Sequence, residues 1–454
     1  MERPLLIYNA RLVDRDIDVK KGAVLVRKNR IEGFPSPDAV SQMISDSSID
    51  KLDANGMVLM PSFVDMHVHF RDPGQTQKED LETGCQSAVA GGYGTVVLMP
   101  NTSPVVSSQD MAVKNMSRAE KMGLLKVYQS VSITDGFDGK TTAHIDSLDK
   151  KNIPLITEDG HEVEDSAVML DGMKKAATKK IIVACHSEDP FLAAAAKPFR
   201  KNALELLNKK NVSAQDKKLA KKYLQEANSI LAAAEDAATF RNIRLARDAK
   251  VHVHLCHVST RESLDAVRRA KSIGQKVTCE VTPHHLGLNS ESASTCFQIV
   301  NPPLRAESDR QAVVDALFDG TADVISTDHA PHTLHDKAEG CPGFSGLETS
   351  FALCYSVLCK ENGMKLGMLS EKMSARPSEI LGLKNQGLLV EGYDANLVLV
   401  DTESEWTVRG QKFASKGKYT PLEGKKVFGK IVATIYRGSF VYRAFGYNIE
   451  AIGI

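Results

Sequence analysis

The chain lacks any surplus of charge: its 57 Lys and Arg are met by 57 Asp and Glu. A balanced chain has no global field with which to grip nucleic acid or an anionic membrane. No run of about 18 apolar residues occurs, so no transmembrane helix is expected. The start, Met1-Glu2-Arg3-Pro4-Leu5-Leu6-Ile7, lacks the apolar core of a signal peptide. No Cys-x-x-Cys pair is present. The eight cysteines are scattered, and Cys185, Cys256 and Cys279 fall in apolar, strand-like runs where a small buried hydrophobe is expected. Free buried thiols suit a reducing cytoplasm. There is no internal repeat and no low-complexity tract. What remains is an ordinary enzyme-like composition over 454 residues, long enough for two or three domains.

One stretch organises the rest: Pro61-Ser62-Phe63-Val64-Asp65-Met66-His67-Val68-His69-Phe70-Arg71-Asp72-Pro73-Gly74. It reads as a buried strand stopped by the turn residues Pro73-Gly74. Residues two apart on a strand share a face, so His67 and His69 should project side by side, with Asp65 and Arg71 on the same face. Taken alone, a His-x-His is more often a hydrogen-bonded pair than half of a metal site. Its weight comes from the histidines and aspartates further along the chain, each also closing an apolar run.

Residues 1–56 read as short strands and turns, with no helix longer than two turns. From about residue 61 short apolar strands alternate with helical patterns, which argues a parallel α/β fold. The strands expected are Phe63 to His69, Thr95 to Met99, Leu125 to Ser132, Ile153 to Thr157, Ile181 to His186, Val251 to His257, Lys276 to Glu280 and Val324 to Thr327. Eight is the number a closed (β/α)8 barrel needs. Ala214 to Arg247 reads as long helix with Ser213 as N-cap. Its lysine pairs Lys217-Lys218 and Lys221-Lys222 suit a solvated cover on the barrel better than a nucleic-acid surface. After residue 385 β character returns: two strands around Gly392 within 387–400, then a hairpin around Arg437-Gly438. The division expected is a barrel over 57–384 and one small β-sandwich built from both termini, 1–56 and 385–454.

A barrel carries its active site where its strands end. His67 and His69 end strand one, Asp159 follows strand four, His186 strand five, His257 strand six and Asp328 strand eight. Imidazole and carboxylate without thiolate suit a hydrolytic zinc site with a position left for water. On strand six, His252, His254 and Cys256 share one face and Val253, Leu255 and His257 the other. The apolar pair beneath His257 suits a barrel interior, so His257 is taken as the ligand and His252 and His254 as structural.

The segment His67-Val68-His69-Phe70-Arg71-Asp72-Pro73-Gly74 resembles the signature of the cyclic amidohydrolases in the amidohydrolase superfamily. Within them the chain is most similar to the dihydroorotases of the bacterial type I class. Met99-Pro100-Asn101-Thr102, Glu280-Val281-Thr282-Pro283-His284-His285-Leu286, Asn301-Pro302-Pro303-Leu304-Arg305, Thr327-Asp328-His329-Ala330-Pro331-His332, Gly346-Leu347-Glu348-Thr349 and Ser415-Lys416-Gly417-Lys418-Tyr419-Thr420-Pro421 carry the likeness further. It is thinnest over about 193–250. The resemblance implies a TIM barrel with a β-sandwich from both termini. It implies one or two zinc ions on His67, His69, Asp159, His186 and His257, with Asp328 beside them as acid and base. It implies substrate contacts from Arg71, Asn101, Asn301 and His332, and backbone contacts from Gly343 and Phe344. The reaction implied is reversible cyclisation of N-carbamoyl-L-aspartate to L-dihydroorotate. A homodimer and aspartate transcarbamoylase are the partners it suggests.

Two departures stand out. Many members of the superfamily bridge two metals with a carbamylated lysine after strand four, but Ile153 to Gly160 contains no lysine. Glu158-Asp159-Gly160 stands where the type I enzymes usually have Asp-Asp-Gly. The loop Cys341-Pro342-Gly343-Phe344-Ser345-Gly346 is one residue shorter than usual.

The chemistry agrees. Opening a cyclic amide at neutral pH needs a hydroxide, a polarised carbonyl and a proton for the leaving nitrogen. Zinc supplies the first two, bringing the pKa of its water from about 16 to about 7. Asp328 can carry the proton. A substrate carboxylate needs a cation in a fixed fork, which Arg71 supplies unless it merely pairs with Asp72. The competing readings are another cyclic amidase (hydantoinase, dihydropyrimidinase or allantoinase) and an inactive homologue that scaffolds aspartate transcarbamoylase. The first gives Arg71 no carboxylate to hold. The second is expected to have lost ligands, yet all six positions are filled.

Overall fold

The computed structural model of the chain describes residues 3–292 and 299–447. Cys296 lies outside the described residues. All eight expected barrel strands form. Phe63–Val68, Tyr93–Leu98 and Lys126–Gln129 make a 3-stranded sheet, and Leu155–Thr157, Ile182–Cys185, Val253–Leu255, Val277–Val281 and Val324–Ile325 a 5-stranded one. Every pairing is parallel. Parallel bridges Val131↔Ile156 and Val68↔His329 join the two sheets into a closed barrel.

Alternation sorts the strand residues into two layers. Val64, Met66, Val97, Met99, Leu155, Ile182, Ala184, Cys256 and Val324 pack together in the lumen. Val96, Leu98, Ile156, Val183, Leu255 and Ile325 pack outward with helical residues such as Leu81, Leu264 and Val267. This corrects the expectation for strand six. Val253 and Leu255 face the helices, and the lumen face carries His254 and Cys256. His257 lies beyond the strand's last residue and reaches the rim through a turn of the backbone.

Both termini build one 8-stranded mixed sheet. Leu5–Val13 is its branch point, pairing with Asp50–Asp53 through Leu5 to Tyr8 and with Val58–Pro61 through Arg11 and Leu12. Leu397–Thr407 adds antiparallel to Val58–Pro61, and Lys426–Tyr436 and Ser439–Arg443 extend the sheet as the expected hairpin. Only Ser62 separates this sheet from the first barrel strand.

Two local expectations differ from the structure. A helix of 9 residues, Pro37–Ser45, forms in the N-terminal part. Ser36 caps it by accepting from Ala39 N–H, and Pro37 starts it. Residues 387–396 are not a strand pair. Their backbone groups are used one at a time: Leu389 N–H goes to Asp14 Oδ2 and Gly392 N–H to Ile31 O.

The long helix runs Ala214–Ala249 and packs on Pro190–Leu207. Ser213 and Asp216 form a capping box at its start. Lys217, Lys218, Lys221 and Lys222 are set on it as a solvated cover requires, all four of them exposed.

The sheet and the barrel are tied by Glu348, on the helix Leu347–Cys354. Its carboxylate accepts from Ala414 N–H (3.0 Å), Ser415 N–H (3.2 Å) and the Ser87 hydroxyl (2.9 Å). Burial pushes its pKa up to about 7, with these donors opposing. A carboxyl with a raised folded pKa binds a proton in the folded state that the unfolded state has released. Its contribution to stability is therefore full below about pH 4.5 and is lost as pH rises through 7. Glu348→Gln is expected to flatten the melting temperature between pH 5 and 8; an unchanged slope places the titration elsewhere.

Candidate metal centre and active site

Two histidines and two carboxylates meet at the rim of the lumen. His67 Nε2 lies 3.1 Å from Asp159 Oδ1 and 3.6 Å from Asp328 Oδ1. His69 Nε2 lies 3.4 Å from Asp159 Oδ2 and 3.1 Å from Asp328 Oδ1. At the same Oδ1 of Asp159 that His67 approaches, His186 Nδ1 and His257 Nε2 stand 3.5 and 3.9 Å away, and 2.9 Å from each other. All six residues predicted as ligands thus converge. His67, Asp159 and His257 offer donor atoms within 4.8 Å of one another, and so do His67, His69 and Asp328.

Backbone geometry explains how they arrive. Strand six ends at Leu255 and strand eight at Ile325. His257 and Asp328 lie past those ends with φ of 34° and 49°, and Arg71 has φ 57°. Positive φ at a non-glycine residue is strained, and strain of this kind gathers at functional rims. The left-handed turn aims His257 inward, although strand parity would have sent it outward. Asp65 does not share the site. A register shift falls between Asp65 and Val68, and the Asp65 carboxylate takes the N–H groups of His67 and Thr327 at the seam between strands one and eight.

Above the cluster lies a cavity of about 200 Å³. Drug-sized ligands occupy roughly 300–1,000 Å³, so this space suits a smaller molecule. Of the predicted site residues it is lined by His69, Arg71, Asn101, Asp159, His186, His257, Asn301, Asp328, His332 and Gly343, together with Cys341 and Pro342. His67 sits below it. Phe344 is not among the lining residues: its carbonyl takes Ala330 N–H and its ring meets His284 edge-on at 5.1 Å.

Arg71 is buried, and its Nε has no hydrogen-bond partner. The salt bridge with Asp72 does not form. Asp72 is held instead by a bidentate pair from Arg118, at 2.8 Å on both arms. Burial lowers the pKa of Arg71 and the more distant Asp328 and Asp159 oppose it. A guanidinium held this way faces the cavity without a carboxylate in contact.

The chain matches the model of the amidohydrolase family over residues 58–441. It is 37% identical to a dihydroorotase from Clostridium botulinum (strain Eklund 17B / Type B) over 440 residues, 97% of this chain and 99% of that protein. A dihydroorotase from Geobacter metallireducens is 36% identical over 453 residues, 97% and 99% of the two chains. The chain belongs to the amidohydrolase family, among the dihydroorotases. Among solved structures its fold is similar to an L-hydantoinase (dihydropyrimidinase) from Arthrobacter aurescens, with TM-score 0.83, 22% identity and 97% and 96% of the two chains covered. A dihydropyrimidinase from Brevibacillus agri NCHU1002 gives TM-score 0.81 and 20% identity over 99% and 97%.

In this amidohydrolase the donor set fits a metal. His67 Nδ1 donates to Glu280 Oε1 (2.7 Å) and His69 Nδ1 donates to Asn101 Oδ1 (2.9 Å). With the protons there, both Nε2 lone pairs point at Asp159 and Asp328, and lone pair facing carboxylate calls for a cation between them. His67 Nε2 and Asp159 Oδ1 are buried with no hydrogen-bond partner. Against burial, Asp159 and Glu280 raise the pKa of His67: the two carboxylates favour positive charge at this point, which a bound cation would supply in place of a second ring proton. Burial and the neighbouring His186 push His257 down to about 4, leaving it neutral and able to ligate.

Three further residues serve the site. Glu280 grips both His67 and, at 3.1 Å, His254 Nε2. An acid inside the wholly buried strand Val277–Val281 was the available signal. Glu188 stands beside His186 and Asn301. Lys337, fully buried, donates to the carbonyls of Ile299, Cys341 and Gly343 and so holds the shortened loop over the cavity. Glu158, set beside Asp159 by the sequence, turns away. It takes the N–H groups of Ile133 and Thr134 at 2.9 Å each, and burial raises its pKa to about 7.

Proposed function

We propose that this amidohydrolase is a zinc-dependent dihydroorotase that interconverts N-carbamoyl-L-aspartate and L-dihydroorotate. One observation carries the assignment: a buried guanidinium with no carboxylate in contact faces a small cavity whose floor is a His/Asp cluster. A cyclic amide bearing a carboxylate supplies both missing partners. The named relatives support the same substrate.

One or two zinc ions are held by His67, His69, Asp159, His186 and His257, with Asp328 alongside. Bound there, zinc would polarise the amide carbonyl and make a nucleophile available near neutral pH. Arg71 receives the ring carboxylate, with His332 and Asn301 on the same side. Asn101 Nδ2 donates to Asp159 Oδ2 (3.3 Å) and its Oδ1 accepts from His69, so it orients both groups as well as meeting the ring. Asp328 accepts a proton in ring opening and delivers it to the leaving nitrogen; in closure it takes the nitrogen's proton. The Gly343 backbone borders the ring, and Phe344 backs the loop from behind.

Turnover of dihydroorotate but not dihydrouracil or allantoin, with zinc counted per chain, tests the assignment. Activity on dihydrouracil alone would make the chain a dihydropyrimidinase, and a zinc-free, inactive chain would make it a scaffold. Sedimentation alone and with purified aspartate transcarbamoylase tests the homodimer and that partner. The free thiols support a cytoplasmic location; among the described residues no helix is long and apolar enough to cross a membrane.

Asp159 is the proposed substitute for a carbamylated lysine, since its two oxygens face His69 on one side and His67, His186 and His257 on the other. Asp159→Ala is expected to lower the number of zinc ions per chain by metal analysis. Full zinc content in that variant, or a carbamate on any lysine by mass spectrometry, overturns this role.

A further inference from the structure

We infer that Glu188 and Arg200 are positioning residues. Glu188 braces the outer nitrogen of His186 and, with Arg200, sets the amide of Asn301 at the cavity. For its substrate arm this rests on the dihydroorotase assignment.

His186 Nδ1 faces His257 and Asp159. If that nitrogen ligates, the ring proton belongs on Nε2. Nε2 is buried without a hydrogen-bond partner, and Glu188 Oε2 stands 3.7 Å away. A carboxylate behind a ligating imidazole raises its basicity and fixes its orientation. The other oxygen, Oε1, accepts from Asn301 Nδ2 at 2.9 Å. Asn301 Oδ1 in turn accepts from Arg200 Nη2 at 3.4 Å, and the same Nη2 donates to Val300 O at 3.2 Å. An ionised carboxylate only accepts and a guanidinium only donates, so the amide has one possible orientation. One N–H of Asn301 is left for the cavity that it lines.

Arg200 comes from the helix Pro190–Leu207, outside the barrel strands and in the zone where the family likeness is thinnest. The start of that helix is pinned next to Glu188 by Asp189, which accepts from Phe191 and Leu192 N–H. The helical pair therefore does more than cover the barrel: it supplies the cation that holds a substrate-side amide.

The test uses the full chain as wild type, Glu188→Gln and Arg200→Met. Zinc affinity is measured by competition with a chelator, and kcat and KM with dihydroorotate at saturating zinc. Melting temperatures check that both variants fold. Glu188→Gln is expected to weaken zinc by about 10–100-fold and to raise KM. Arg200→Met is expected to leave zinc affinity within about twofold and raise KM roughly 3- to 10-fold, with kcat nearly kept. Unchanged zinc affinity in Glu188→Gln overturns the brace. An unchanged KM in Arg200→Met, or a zinc loss equal to that of Glu188→Gln, overturns the division of roles. If the wild type does not turn over dihydroorotate, the proposed function falls, while the zinc competition still decides Glu188.

Discussion

Asp328→Asn is expected to keep its zinc and its affinity for the ring carboxylate while kcat falls by roughly 10²–10⁴-fold, the range for a lost general acid or base. The side chain keeps its size and one oxygen but can no longer carry a proton. Asp328 stands where such a carrier must: past the end of strand eight, lining the cavity, with Oδ1 3.1 Å from His69 Nε2. Burial would raise its pKa, but His69, His67 and His257 outweigh burial and bring it down to about 2. It is therefore ionised at neutrality and ready to accept in ring opening, and that capacity is lost only as pH falls through its low pKa. The competing carrier is His332. Burial, with Arg71, Lys78 and Lys337 nearby, depresses it to about 2, and its Nε2 already donates to Pro342 O at 2.9 Å. Position separates the two: the ring of His332 meets Arg71, Pro342 and Asp336, whereas Asp328 touches His69 within the cluster itself. Steady-state kinetics and zinc analysis on the one variant check this; wild-type turnover would mean that Asp328 is not the carrier.

Arg71→Met is expected to separate substrates by whether they carry a carboxylate. Removing one half of a desolvated charge pair costs about 2–5 kcal/mol, or roughly 30- to 5,000-fold in kcat/KM. The loss should fall on dihydroorotate and spare any residual turnover of dihydrouracil. The bland role for Arg71, a salt bridge with Asp72, is already taken by Arg118. Burying an arginine without a contacting anion is costly, and the head of Arg71 meets His332 Nε2 at 3.3 Å and otherwise lines the cavity. Methionine matches the length of the stem and keeps its packing, so lost charge and lost shape are not confused. Equal losses on both substrates would make Arg71 structural.

Much of this was legible in the order of residues. Eight apolar runs alternating with helical ones argue a parallel α/β fold, and eight is the number of strands that a closed barrel needs. The histidines and aspartates after those runs had to meet at one rim, since strand ends in a parallel barrel share one edge. What the tertiary structure decided is which way the rim side chains turn. Parity along strand six groups His257 with Val253 and Leu255 on one face, yet those two face the helices, and His257 comes inward because its backbone leaves the strand at φ 34°. Parity predicts direction only while the pleat persists, and the pleat stops at Leu255. The partners behind the site were equally hidden. Glu280, Glu188, Arg200 and Lys337 act through groups distant in the chain, and no local pattern says which buried charge will meet which. Arg118 is the sharpest case: 46 residues from Asp72, it takes the carboxylate next to Arg71 and so leaves that arginine free for a substrate.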